Sequence, residues 1–398
     1  MHNNIFNHKF KNQLGELTMK KLGFGLMRLP LLDEDDDSSI DFDHATKMVD
    51  LFMEKGFSFF DTSYIYHDQA SETFFRKAVV ERYPRESYVI SDKLPLLIIN
   101  SEDQLEPIFS EQLERTGVEY FDYYLLHNVS GFSEKAFLDV DSFGFVKRKK
   151  EEGKIKHLGF SSHANAEYLD RILTMHPEME FVLLQVNYLD WKSEGVESQK
   201  CYEVASRHNK PVFVMESLKG GFLANVPPEA EKLMKDYNPD ASVVSWALRF
   251  VAGLDNVRMI LSGSSSLEQI KSNIEDIENF TPLNDEEYEI LERVRDIINS
   301  NIAVDCTKCK YCLDACPQQI NIPKFFDLYN NEKMLVPKPW SAFGYAYCNY
   351  SKLPNVSIAS DCTECGICIE ECPQHIDIPE VMKDVAETFE TDYYGFGD

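Results

Sequence analysis

Eight of the ten cysteines fall into two copies of one spacing: Cys306, Cys309, Cys312 and Cys316 followed by Pro317, and Cys362, Cys365, Cys368 and Cys372 followed by Pro373. In this C-x2-C-x2-C-x3-C-P pattern, thiolates on a tight loop wrap three corners of an iron–sulfur cubane while backbone N–H groups point at its sulfurs. Two 4Fe-4S clusters follow, with the fourth cysteine of each run serving the other cluster. Cys306, Cys309, Cys312 and Cys372 then hold one, and Cys362, Cys365, Cys368 and Cys316 the second. Structural zinc sites instead pair two C-x2–4-C knuckles. Cys201 and Cys348 have no motif partner and read as packed thiols.

A second set lies far upstream. Asp61, Tyr66, Lys93 and His127 each close, or closely follow, a short apolar run. A tyrosine beside an ammonium group has its pKa lowered, because the cation favours phenolate; it can then serve as a general acid–base near neutral pH. Asp61 would hold Lys93 charged and oriented, and His127 would hydrogen-bond a substrate oxygen that gains negative charge. Each residue alone also fits a packing role, as a buried ion pair, a loop aromatic or a core histidine. Together they form an apparatus for carbonyl reduction.

Something must bring these residues to one place. Apolar runs at 22–27, 57–63, 88–93, 123–128, 157–162, 182–188, 212–217 and 259–265 are each followed by a stretch of helical length and periodicity. Eight strand-plus-helix units over about 260 residues predict a closed parallel (β/α)8 TIM barrel, with its chemistry at the C-terminal ends of the strands. Asp43 to Gly56 reads as one such helix, with Met48, Val49, Phe52 and Met53 on a single stripe. A further amphipathic helix over 285–300 leads out of the barrel. The predicted division is an α/β barrel over 1–300, a small ferredoxin-like cluster domain over 301–384 with a connector at 336–354, and an acidic, aromatic tail over 385–398. Residues 1–21 are predicted to make a small hairpin under the barrel.

The tetrad, with LGFGLMRLP near the start and FFDTSYIY, SDKL, LLHN and HLGFSS further on, resembles the aldo-keto reductase family over roughly residues 19–299. Residues 301–384 resemble a two-cluster bacterial ferredoxin domain, and the whole chain resembles the ferredoxin-fused branch of the reductase family. The resemblance implies Asp61, Tyr66, Lys93 and His127 as the catalytic tetrad. It places Ser161, Ser162 and Gln185 at the nicotinamide carboxamide, and Met215 where an aromatic usually stacks on the ring. Ser217 and Leu218, followed by Lys219-Gly220-Gly221, fall in the loop that crosses the pyrophosphate. Gly263, Ser264 and Ser265 match the adenosine phosphate loop, where N–H donors and a helix N-terminus favour an anion. Asn273 falls near the adenine edge. Gly263 and Gln269 stand where many members place Lys and Arg for the 2′-phosphate, so the implied nucleotide is NADP or NAD.

Lys and Arg total 40 against 67 Asp and Glu, a formal charge of −27. Such a surface repels phosphate backbones and anionic lipid, which argues against nucleic acid or membrane as partners. Residues 33–37 add an acidic run after the first strand, read as a solvated loop. A polar N-terminus and crowded cysteines point to a cytoplasmic metalloprotein rather than a disulfide framework. The expected activity is NAD(P)-dependent interconversion of a small carbonyl compound and an alcohol. The alternative is ferredoxin-coupled electron transfer with a redox partner protein. Hydride moves two electrons and a cluster one, and a flavin that would divide the pair is neither demanded nor excluded.

Overall fold

The computed structural model describes residues 19–33, 36–193, 195–300, 303–304, 306, 310–334, 341–372 and 376–396. Eight strands run in chain order: β1 (Leu22–Gly25), β2 (Phe59–Asp61), β3 (Val89–Leu94), β4 (Phe121–Leu126), β5 (Ile155–Ser162), β6 (Phe181–Gln185), β7 (Val212–Met215) and β8 (Val257–Gly263). All neighbours are parallel, and β8 pairs with β1 to close the barrel. Parallel neighbours require a crossover, which helices such as Phe42–Glu54 and Leu267–Glu278 supply. The eight apolar runs are thus the eight strands, with ends shifted by a few residues.

Side chains alternate across a strand, so a single inward row from each strand fills the interior. Phe59, Val89, Tyr123, Phe181, Phe213 and Met259 belong to that inner cluster, separate from the core between strands and helices. Following the inward rows two residues at a time toward the C-terminal ends leads from Phe59 to Asp61, from Val89 through Ser91 to Lys93, and from Leu125 to His127. On the other side Phe181 and Leu183 lead to Gln185, and Phe213 to Met215. Apolar alternation therefore aims the candidate polar groups at one mouth. Gly159 keeps the interior open: a Cβ there would lie 2.6 Å from the Phe181 ring.

A second core gathers Ile320, Phe325, Tyr347, Val385 and Phe389, with Cys312 and Cys368 among them. It is reached through the helix Asp285–Asn299, whose N-cap Asn284 and Glu287 bond reciprocally at 2.9 Å. Glu287 also pairs with Arg249 at 2.7 Å, tying this helix to the barrel. The segment read as a connector contains a helix, Ala342–Ser351, capped by Ser341. The boundary drawn at 384/385 falls inside the helix Ile378–Phe389; Phe389 stacks on Tyr347, and Tyr394 OH accepts from Ser341 N at 2.8 Å. Most of the tail is therefore part of the second core. The predicted N-terminal hairpin lies mainly in residues 1–18, outside the described residues.

The second core meets the barrel on the face that carries the strand C-termini. Asp327 Oδ2, in the helix Ile322–Lys333, accepts from Ser193 Oγ at 2.5 Å and Gly195 N at 2.9 Å in the loop after β6. Ser130 Oγ, after β4, donates to Asn349 Oδ1 at 2.9 Å. Among the described residues, no helix is long and apolar enough to cross a membrane.

Candidate active site

At the ends of β2 and β3, Lys93 Nζ lies 2.6 Å from both Asp61 Oδ2 and the Thr62 carbonyl oxygen, with only 1% of its side chain exposed. Ser91 Oγ donates to the other Asp61 oxygen at 2.9 Å. Burial works against the Lys93 charge, but Asp61 and then Tyr66 favour it more, and the ammonium is held above its ordinary pKa. An ion pair this deep persists because hydrogen bonds satisfy the remaining donors and lone pairs.

Lys93 Nζ sits 4.8 Å from the centroid of the Tyr66 ring. The expectation of a lowered tyrosine pKa is corrected here. Burial raises it by more than the Lys93 ammonium lowers it, so the hydroxyl titrates above an ordinary phenol. The group is an acid carrying its proton at neutral pH. His127 meets the Tyr66 ring edge-on at 5.9 Å, and its Nδ1 lies 3.0 Å from Ser63 Oγ. Burial, followed by the Lys93 charge, pushes the imidazole well below its usual pKa, which leaves it neutral. His163 is pushed to about 4, again mainly by burial.

The loop after β2 is pinned from several sides. Thr62 Oγ1 and Ser71 Oγ are 2.8 Å apart, and Ser71 Oγ donates to the Leu26 carbonyl. His67 accepts from Leu29 N at 3.2 Å, and its Nδ1 lies 2.9 Å from the Asp37 carbonyl oxygen, so this histidine has backbone partners. Asp33 N donates to Ser39 Oγ and Leu31 bridges Ile40, which closes the acidic run on itself; Glu34 and Asp35 lie outside the described residues. Behind Lys93, Gln112 Nε2 donates to the Lys93 carbonyl at 3.0 Å and to Glu72 at 3.1 Å. Neither Gln112 nor Glu72 stood out in the sequence, because each owes its place to the turn of a helix rather than to a strand end.

Across the mouth, Ser161 Oγ accepts from Asn128 N at 2.8 Å, Ser162 Oγ donates to the Val129 carbonyl at 2.8 Å, and Gln185 Nε2 donates to Asp190 Oδ2 at 2.9 Å. Met215 packs on the inner cluster, Ser217 is buried and Leu218 packs on the outer core. The structure brings these residues to one side of the opening. Gly263 ends β8. Ser264 Oγ accepts from the amide of Asn273, which is only 3% exposed, and Ser265 N donates to Gln269 Oε1 at 2.8 Å. Asn273 and Gln269 thus brace the loop from beneath and beside it.

Arg28 was not singled out. Its stem lies 3.2 Å from where a Cβ on Gly263 would sit, its carbonyl accepts from Ser265 Oγ at 2.8 Å, and its guanidinium is 3.8 Å from Glu216. It spans the β7 and β8 loops, and the register pairing Gly25 with Gly263 explains why a residue just after β1 reaches them.

In the second core, Cys316 from the first run joins Cys362, Cys365 and Cys368 from the second around one cavity, with Ile320, Ile322 and Met382 in its wall. These four residues are one of the two crossed sets expected from the sequence. The donors fit a cluster: burial, then the neighbouring thiolates, raise Cys368 to about 11, a repulsion that a bound cationic metal centre offsets. Cys306, Cys312 and Cys372 pack together with the same core, while Cys309 and Pro373 lie outside the described residues. Cys201 and Cys348 are buried and donate to the Ala164 and Tyr394 carbonyls, as packed thiols do.

A family model described as the aldo/keto reductase family matches residues 21–296, and one described as a 4Fe-4S dicluster domain matches residues 305–376. An aldo-keto reductase of Mycolicibacterium vanbaalenii is 28% identical over 239 residues, which cover 58% of this chain and 77% of that protein. Probable aldo-keto reductase 1 of Glycine max is 29% identical over 187 residues, or 44% of this chain, and the match spans 49% of that relative's length. Among solved structures, the holo form of an aldo-keto reductase from Bacillus halodurans has a TM-score of 0.54 at 22% identity, covering 70% of this chain and 93% of that one. An aldo-keto reductase from Klebsiella pneumoniae in complex with NADPH has a TM-score of 0.54 at 16% identity, covering 70% and 92%. With a barrel whose inward rows end in Asp61, Lys93 and His127, and with the family model spanning that whole barrel, the chain belongs to the aldo/keto reductase family of oxidoreductases and carries a 4Fe-4S domain.

Proposed function

We propose that the protein interconverts a small aldehyde or ketone and the corresponding alcohol with a nicotinamide nucleotide. The observation that carries this is the charged Lys93–Asp61 pair beneath a protonated Tyr66, with a neutral His127 on the other flank. The nucleotide, when bound, supplies or takes up the hydride. In the direction of reduction, the Tyr66 hydroxyl gives its proton to the carbonyl oxygen. The Lys93 ammonium lies against the resulting phenolate and stabilises it, while Asp61 fixes the ammonium in place. His127 orients the substrate oxygen by a hydrogen bond without adding charge to the site. In the reverse direction, Tyr66 must first lose its proton.

Ser161, Ser162 and Gln185 would hold the carboxamide, Met215 would pack on the ring, and Ser217 and Leu218 would lie along the pyrophosphate. Gly263, Ser264 and Ser265 would receive the adenosine phosphate, and Arg28 supplies a cation that the β8 loop itself lacks. Gln269 and Asn273 would shape that loop through their bonds to it. The nucleotide is NADP or NAD, and the Klebsiella pneumoniae relative was solved in complex with NADPH. Two 4Fe-4S clusters are proposed, ligated as the crossed sets above, and their thiolates suit a reducing, cytoplasmic compartment. Tyr66→Phe is the direct test: activity on a panel of carbonyl compounds should be lost while cluster absorbance and thermal midpoint stay unchanged.

One feature favours a second role, electron exchange between the clusters and the barrel or a redox partner protein. The helix Ile322–Lys333 starts in the wall of the cluster cavity at Ile322 and ends against the barrel loops. Turnover driven by reduced ferredoxin without nucleotide would support that role, and its absence alongside robust NADPH-linked activity would remove it.

A further inference from the structure

The loop after β7 is fixed from the other domain. Lys219, Gly220 and Gly221 have φ of 48°, 64° and 99°, three left-handed residues in succession. Glycine takes this conformation freely and lysine does not, so the Lys219 backbone stays there only because its side chain is held from several directions. That side chain is 0% exposed. Its Nζ lies 2.5 Å from Asp190 Oδ1, 2.7 Å from Asn331 Oδ1 and 4.2 Å from the centroid of the Phe343 ring. Asn331 and Phe343 belong to the cluster domain, Asp190 to the loop after β6.

The contacts continue into the nucleotide side of the mouth. The other Asp190 oxygen accepts from Gln185 Nε2 at 2.9 Å and from Asn187 Nδ2 at 2.7 Å, and Asn187 Nδ2 also reaches the Glu216 carbonyl oxygen at 3.0 Å. Asn331 is itself braced, since its Nδ2 donates to the Asp327 carbonyl at 2.7 Å. Buried networks of this kind act as units, and removing one acceptor from an ammonium in the middle displaces the rest.

We propose that Asn331 is a positioning residue for the nicotinamide site: through Lys219 and Asp190 it holds Gln185 and the 217–221 segment in their nucleotide-binding arrangement, so that nucleotide affinity depends on the docked cluster domain. This rests on the nucleotide assignment made above. Linkage makes the coupling reciprocal, so bound nucleotide tightens the helix Ile322–Lys333 against the barrel.

The test uses the full-length, cluster-loaded protein under anaerobic conditions, with NADPH and NADH titrated by fluorescence. Asn331→Leu, which keeps bulk but removes the acceptor, should raise the Kd about tenfold. Its kcat at saturating nucleotide, iron content and thermal midpoint should stay near wild type. Asn331→Asp retains an acceptor for Lys219 but loses the donor to Asp327, so its Kd should lie between those of Asn331→Leu and wild type. Ser130→Ala removes the interdomain bond at the β4 loop instead and should leave the Kd unchanged, which separates positioning from docking in general. A wild-type Kd for Asn331→Leu overturns the proposal, as does an equal loss in Ser130→Ala. If Asn331→Leu does not fold, wild-type hydrogen exchange decides. NADPH should slow exchange in residues 322–333, and protection confined to the barrel loops overturns the proposal. A wild-type protein that binds neither nucleotide overturns the nucleotide assignment, and this proposal with it.

Discussion

Burial acts on the residues at the barrel mouth in opposite senses and leaves each in the protonation state that the proposed carbonyl chemistry needs. It raises Tyr66, which stays a phenol, and lowers His127, which stays a neutral imidazole, while Asp61, followed by Tyr66, keeps Lys93 charged against the same pressure. Tyr66→Phe should therefore lower kcat by about 10²- to 10⁴-fold with cluster content unchanged. In the reducing direction the rate should fall only above pH 10, where the phenol loses its proton, and Lys93→Met should move that limb higher still; a pH–rate profile measures both. His163 carries a stability consequence. Its folded pKa of about 4 lies below the ordinary imidazole value of 6.5, so the unfolded chain binds the extra proton. Stability should therefore fall as pH drops from 6.5 toward 4, and His163→Gln should flatten that slope in denaturant midpoints. The placement of Asp61, Lys93 and His127 at one mouth was legible because each ends an apolar run, with Tyr66 five residues after Asp61. The direction of the Tyr66 shift was not, since one adjacent cation is visible in the sequence whereas the burial that outweighs it depends on every loop around the mouth.

At the scale of elements, inward rows of alternating side chains carry the site, and glycine makes room where two large residues would collide. Gly159→Ala would put a methyl group 2.6 Å from the Phe181 ring and should cost about 1–3 kcal/mol of stability by overpacking. Adding Phe181→Leu should recover part of that loss, which a thermal midpoint series would show. The strands were readable from the sequence because apolar runs and period-two alternation are local signals. The helix Ala342–Ser351 was hidden, since its Phe, Tyr and Cys residues form no clean stripe and its stability comes from Tyr347 packing on Phe325 and Phe389. Arg28, and the inward bonds of Gln269 and Asn273, were equally out of reach because they follow from β1 lying beside β8, a contact between the ends of the barrel.

At the scale of the whole molecule, the 4Fe-4S domain sits on the barrel face that bears the site, with contacts at the loops after β4, β6 and β7. Cys316 meeting Cys362, Cys365 and Cys368 supports the crossed ligand sets. Cys365→Ser should accordingly remove about half of the iron and acid-labile sulfide, with Cys201→Ala removing none, as iron analysis would report. The most direct test of the central claim is anaerobic turnover of the cluster-loaded protein with NADPH and a panel of aldehydes and ketones. The nicotinamide and cluster absorbances would be followed together in wild type and Tyr66→Phe. The account predicts carbonyl-dependent NADPH oxidation that collapses in Tyr66→Phe while the cluster bands are unaltered by the substitution. Full turnover by Tyr66→Phe would contradict it.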